Sequence, residues 1–92
     1  AKQIWEAFEA RYRGEPFLRL HPLADPLDSN ERSFDPEACN GTNRIELHVV
    51  PHPSGHVLLV AILDNLGKGA AGVAIQSLNL MLGRPETEAL QA

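Results

Sequence analysis

The sequence predicts an α+β fold: an antiparallel sheet, made of a hairpin plus an additional strand, with an N-terminal helix and a buried C-terminal helix. Three observations predict it. Residues 44–50 (Arg-Ile-Glu-Leu-His-Val-Val) alternate polar and apolar with period two, the signature of a strand with one covered face. Residues 56–63 (His-Val-Leu-Leu-Val-Ala-Ile-Leu) are an almost unbroken apolar run of strand length. Pro51-His52-Pro53-Ser54-Gly55 joins the two as a turn, which makes them an antiparallel hairpin. Residues 69–82 then place Val73, Ile75, Leu78, Leu80, Met81 and Leu82 around a helix with no clean polar face, and such a helix has to be enclosed.

Taken in order, residues 2–13 read as an amphipathic helix. Ile4, Trp5, Phe8 and Tyr12 recur at three-to-four spacing and form the face that packs on a core. Gly14 stops the helix and Pro16 forbids its continuation. Phe17-Leu18-Arg19-Leu20-His21 alternates as a short strand that Pro22 ends. Residues 22–42, with Pro22, Pro26, Pro36 and Gly41, read as a long loop that Phe34 pins to the body. Loops of this length inside a compact domain are often functional or interface-forming. The strand 44–50 is one-sided. The strand 56–63 is apolar on both faces, which predicts a central position covered above and below. The last helix begins near Lys68 or Gly69 and is terminated by Gly83 and Pro85, and the polar tail beyond is expected to fray. Nothing upstream looks large enough to enclose that helix, which implies a further domain or a partner subunit.

Ninety-two residues make one domain, and a chain of this size buries only about 60–65% of its unfolded surface. Its 43% hydrophobic content is concentrated in the last third, more than a small lone domain covers comfortably. The net charge is −4 and the eight basic residues are scattered, so no basic stripe marks a nucleic-acid partner. Cys39 is the single cysteine, which excludes an internal disulfide and suits a reducing, cytoplasmic compartment. The amphipathic start at Ala1–Glu6 does not read as a secretory leader, and the apolar stretch 69–82 is too short to span a bilayer, so no membrane segment is expected.

The candidate chemistry lies at the strand-to-helix turn Leu63-Asp64-Asn65-Leu66-Gly67-Lys68-Gly69-Ala70-Ala71-Gly72. Its backbone is left almost bare by three glycines and two alanines, and Lys68 is the only charge between Asp64 and Arg84. Helix N-terminal amides and a lysine can hold a phosphate. The Asn65 carboxamide offers a donor and an acceptor, which matches a ligand carboxamide such as that of nicotinamide. The same glycines equally suit a tight turn that lets a helix pack closely, and the pattern leaves both readings open. Neither a phosphate-binding loop of the nucleoside-triphosphatase type nor a G-x-G-x-x-G turn is present. His48, His52 and His56 are four apart, but Pro51, Pro53 and Gly55 rule out the helix that would align them; exposed loop histidines are the expectation, with no metal site. Cys39 has no activating base near it in sequence and reads as structural. Asp64 caps the helix or orients Lys68.

Cys39-Asn40-Gly41-Thr42-Asn43-Arg44, followed by Ile62-Leu63-Asp64-Asn65-Leu66-Gly67-Lys68-Gly69-Ala70-Ala71-Gly72 and the helix to Gly83, closely resembles the C-terminal end of the N-acetyl-gamma-glutamyl-phosphate reductases. Gly14-Glu15-Pro16-Phe17-Leu18-Arg19-Leu20 is similar to the same family, and the wording is closer to its shorter form. The resemblance implies a piece of a two-domain, glyceraldehyde-phosphate-dehydrogenase-like enzyme. That enzyme would reduce an acyl phosphate to the semialdehyde with NADPH in arginine biosynthesis, through a thioester on a cysteine with a histidine base. It implies that residues 1–63 belong to the α+β oligomerisation and catalytic domain. Residues 64–92 would carry the cofactor-cleft turn and the helix that returns to a dinucleotide-binding domain absent from this chain. Asn65 would then lie near the nicotinamide carboxamide, with Gly67, Lys68 and Gly69 lining the cofactor cleft. Neither Cys39 nor any of the four histidines matches the family's nucleophile or base, so no catalytic residue is expected here and the fragment alone should be inactive. The expected partners are a second copy, as homodimer or homotetramer, and the acyl-phosphate substrate. The rival readings are a non-enzymatic self-associating module and a sister reductase for the one-carbon-longer acyl phosphate of lysine biosynthesis.

Overall fold

The computed structural model describes residues 1–23 and 34–92, so part of the loop expected over 22–42 lies outside the described residues. The elements are helix α1 (Lys2–Tyr12), strand β1 (Leu18–Leu20), strand β2 (Ile45–Pro51), strand β3 (Val57–Leu63), a π-helical turn (Gly67–Ala71) and helix α2 (Gly72–Met81). The α+β class holds, and the hairpin forms where the alternation placed it. β2 and β3 run antiparallel from Ile45 opposite Leu63 to Pro51 opposite Val57, and the turn is closed by the His52 amide donating to the His56 carbonyl.

Two expectations about the sheet are corrected. It is mixed, because β1 pairs parallel with β2, Leu18 opposite Ile45 and Leu20 opposite Leu47. Parallel neighbours need a crossover of a dozen or more residues, and the long segment between β1 and β2 provides that length. The strand order is β1-β2-β3, so β2 is central and the apolar β3 lies at an edge. Leu58 and Leu59 on β3 are more than half exposed. The two-sided apolar character of β3 therefore marks surface that this chain leaves bare.

The core is small. Among the described residues, Phe17, Cys39, Val49 and Ile62 are the buried apolar ones. Alternation along β2 turns Glu46 and His48 to the face under residues 34–40, and Ile45, Leu47 and Val49 to the other. Trp5, Phe8 and Tyr12 are half-buried, and the Trp5 indole N–H donates to the His21 carbonyl at 2.8 Å, which ties α1 to the end of β1.

Helix α2, which nothing upstream looked large enough to enclose, is left uncovered within this chain. Within this chain only Gly72 and Asn79 of that helix are buried, while Leu78 is 50% and Met81 80% exposed. Among the described residues, Leu78, Leu80, Met81 and Leu82 are all half exposed or more. Its end is as expected: Gly83 has φ +71°, the Gly83 amide donates to the Leu80 carbonyl and the Arg84 amide to the Asn79 carbonyl, which is a Schellman stop. The tail does not fray. The Asn79 carboxamide donates to the carbonyls of Glu86 and Glu88, and the Gln91 carbonyl accepts the Asn43 amide, so the tail folds back beside α2 to the loop before β2.

Candidate functional site

The glycine-rich turn is a π-helical segment rather than the first turn of an α-helix. Its amides donate five residues back: Gly69 to the Asp64 carbonyl, Ala71 to the Leu66 carbonyl and Gly72 to the Gly67 carbonyl. The glycines make this possible. A Cβ on Gly72 would stand 2.2 Å from Asn43 Oδ1 and 2.7 Å from the Gly67 carbonyl oxygen, and one on Gly67 would stand 2.8 Å from the Thr42 carbonyl oxygen. The turn is therefore pressed against the loop 41–43. Asp64 fastens the two together: one carboxylate oxygen accepts the Gly41 amide at 3.0 Å and the other the Leu66 amide at 3.1 Å. The amides of Gly41, then Leu66 and Gly67, hold this carboxyl below the usual carboxylate range against the opposing effect of burial. Asp64 thus caps the turn and does not orient Lys68.

Lys68 turns inward. Its ammonium donates to Gln76 Oε1 and lies 5.7 Å from the centre of the Phe17 ring. The same oxygen of Gln76 accepts from Asn43 Nδ2 at 2.9 Å, so Lys68, Gln76 and Asn43 form one relay between turn, helix and loop. Asn43 is buried, and its Oδ1 has no hydrogen-bond partner among the described residues. Asn65 and Gly69 are exposed, and the Asn65 carboxamide stands over Gly69, where a Cβ would come within 3.0 Å of its oxygen. Of the four residues expected at a cofactor, Asn65 and Gly69 thus face outward. Lys68 lines an open cleft of about 280 Å³ with Arg11, Tyr12, Phe17 and Gln76, while Gly67 borders a different one with Asn43 and Gly72. Sequence reasoning missed Asn43 and Gln76. The signal available was a pair of amide residues, Asn43 on a turn and Gln76 on an apolar helix, where polar side chains are out of place.

A second polar group lies on the covered face of the sheet. His21 Nε2 and Glu46 Oε1 are 2.7 Å apart, Arg44 Nε donates to Glu46 Oε2 at 2.9 Å, and the Cys39 thiol lies 3.4 Å from the same oxygen and 3.3 Å from the Ile62 carbonyl. The hydrogen bond from His21, ahead of those from Cys39 and Arg44, holds the Glu46 carboxyl below its ordinary value although burial opposes it. Burial pushes the Cys39 thiol up, so it is a neutral, enclosed thiol rather than a loop nucleophile. The trio His48, His52 and His56 is not assembled: His48 pairs with Val60, while His52 and His56 stand exposed at the hairpin end. His48 instead stacks on His21, with ring centres 3.9 Å apart and 14° between planes. Phe34 meets His48 edge-on at 5.0 Å, which is the pinning contact expected of that residue.

Among the described residues no helix is long and apolar enough to cross a membrane. No family model matches the chain. Curated proteins do. Over 87 residues the chain is 45% identical to N-acetyl-gamma-glutamyl-phosphate reductase 2 of Nostoc sp., an overlap of 92% of this chain and 27% of that protein. It is 54% identical over 73 residues to the N-acetyl-gamma-glutamyl-phosphate reductase of Burkholderia cenocepacia, covering 78% of the chain and 23% of the relative. The match to the protein of that name from Frankia casuarinae is 39% over 102 residues, covering 100% of the chain and 25% of the relative. Along nearly its whole length this chain is accordingly a homologue of the N-acetyl-gamma-glutamyl-phosphate reductases, of which it spans about a quarter.

Proposed function

We propose that this chain is the C-terminal part of an oxidoreductase that reduces N-acetyl-glutamyl phosphate to the semialdehyde with NADPH in arginine biosynthesis. The observation that carries this reading is the 45% identity over 87 residues to a protein named for that reduction. In this reading the nucleophilic cysteine, the base histidine and the dinucleotide-binding domain belong to other parts of the protein, and the chain alone is inactive. Cys39 fits that division, since its thiol is buried and neutral.

The turn suits the cofactor end of the reaction. NADPH, when bound, supplies the hydride. Asn65 presents an exposed carboxamide that can both donate to and accept from the nicotinamide carboxamide. Gly67 and Gly69 leave the backbone beside it without side chains, so a planar ring can come close. Lys68 is held by a neutral acceptor, the Gln76 carboxamide, so its charge remains available to orient an anionic group at the cleft it lines. The exposed apolar sides of α2 and β3 are surface for the dinucleotide-binding domain and for a second copy, in a homodimer or homotetramer.

The test uses the full-length protein. Asn65→Ala and Lys68→Ala should each raise the cofactor KM about tenfold, the loss of one good hydrogen bond or charge contact, with the thermal melt unchanged. Unchanged cofactor kinetics in both variants would remove the turn from the site.

A further inference from the structure

The polar group on the covered face of the sheet has a geometry that hydrogen bonding alone does not require. Glu46 and His48 are two apart on β2 and share a face, and His21 follows β1 where the parallel register carries it alongside His48. One ligand atom from each of the three residues lies within 4.8 Å of the others. The geometry points to a binding site for a single divalent transition-metal ion of the zinc class, held by His21, Glu46 and His48.

Four features support it. Two imidazoles and one carboxylate are a donor set that zinc uses with a water in the fourth position, and magnesium or calcium would ask for oxygen ligands instead. The two rings lie against each other with centres 3.9 Å apart, which brings both imidazoles to one spot on the sheet, and they would tilt apart on binding so that one ion lies in the plane of each. Ligands at 2.0–2.1 Å in a tetrahedron stand about 3.4 Å apart, so atoms that now lie within 4.8 Å of one another need to close by about 1.4 Å at most. Glu46 is oriented from behind: Arg44 and Cys39 hold Oε2, which leaves Oε1 directed at His21. Partners of this kind fix a ligand's geometry before the ion arrives. Access exists, because the His21 side chain is 40% exposed while that of Glu46 is 11% exposed. The ion would take the place of the proton now shared between His21 and Glu46, and Phe34 would back the His48 ring.

This site stands apart from the glycine-rich turn and does not depend on the reductase reading. The experiment is a titration of the whole protein that carries this chain, stripped with a chelator, with zinc chloride by calorimetry and with cobalt chloride by visible absorption. One ion per chain should bind, with a visible cobalt band of tetrahedral intensity. His21→Ala and His48→Ala should each weaken binding at least tenfold. His52→Ala, on the exposed hairpin turn, should bind as the wild type does. Absence of saturable binding in the reloaded wild type overturns the assignment without recourse to any variant. So does binding that survives both substitutions, or binding that His52→Ala removes. If either alanine variant fails to fold, His21→Gln, which retains a hydrogen bond to Glu46 but removes the imidazole, decides in its place by the same tenfold criterion.

Discussion

Gly72 is the residue at which one added methyl group disturbs most. Asn43 Oδ1 and the Gly67 carbonyl oxygen lie 2.2 and 2.7 Å from where its Cβ would be. Neither can withdraw freely. Asn43 is held through its carboxamide by Gln76 and through its amide by the Gln91 carbonyl, and the Gly67 carbonyl accepts the Gly72 amide itself. Gly72→Ala should therefore cost about 1–3 kcal/mol, in the range of overpacked core positions, although alanine is the better helix former. Denaturant unfolding measures it, and a midpoint at or above that of the wild type would show that the loop 41–43 yields easily. Gly72 was legible as one glycine of a bare turn. Its partner was not, because Asn43 lies 29 positions away by the numbering and nothing in a Gly-Thr-Asn turn announces a buried amide. Cys39 was read correctly as structural, but its burial was not legible for the same reason. A thiol in a loop without periodicity gives no sign of burial, and the carbonyl it faces, that of Ile62, belongs to a distant strand.

Between elements, the decisive joint is Asp64, which carries β3 into the π-helical turn and holds the 41–43 loop at the same time. Its carboxyl titrates below the usual range in the folded chain because backbone amides favour the charged form. A depressed folded value means that the contribution to stability is complete above the unfolded value, about 3.9, and is lost as the pH falls through the lower folded one. Stability should thus decline on acidification below about pH 4–5, and Asp64→Ala should flatten that acid limb while lowering stability at pH 7. Urea midpoints across the pH range test this; parallel curves for variant and wild type would show that other carboxyls carry the acid sensitivity. The elements differ in how far sequence reveals them. Signals that are local were legible: the alternation of 44–50, the turn at 51–55 and the glycine stop at 83 all appear where expected. Strand order was not, since which strand becomes central depends on where a segment of some twenty residues brings the chain back. The start of α2 was missed too, because a π-helical turn arises from the close approach of Gly67 and Gly72 and not from any residue preference.

At the scale of the whole molecule, the chain spans 47 × 26 × 15 Å with a radius of gyration of 15.1 Å, against about 12 Å for a compact domain of its length. The large apolar side chains left exposed include Leu58 and Leu59 on β3 and Leu78, Leu80 and Met81 on α2, so the exposure gathers on two elements. The apolar excess, and the lack of anything upstream to enclose α2, were legible in the sequence; the extent of exposure at each side chain was not, and there the structure makes the difference. That difference reverses the effect expected of a charge on α2. A buried Leu78 would make Leu78→Asp fatal to folding. A Leu78 that is half exposed lets the aspartate reach water, and the chain should keep its fold while losing the contact that covers the helix. Light scattering on a dilution series of the 92-residue chain should give a mass above 10.1 kDa that falls on dilution, and Leu78→Asp with Met81→Asp should bring it to the monomer at every concentration with its circular dichroism retained. A wild-type chain that stays monomeric and folded would assign the apolar side of α2 to another domain of the same protein, because a helix that a second copy covers cannot be indifferent to concentration.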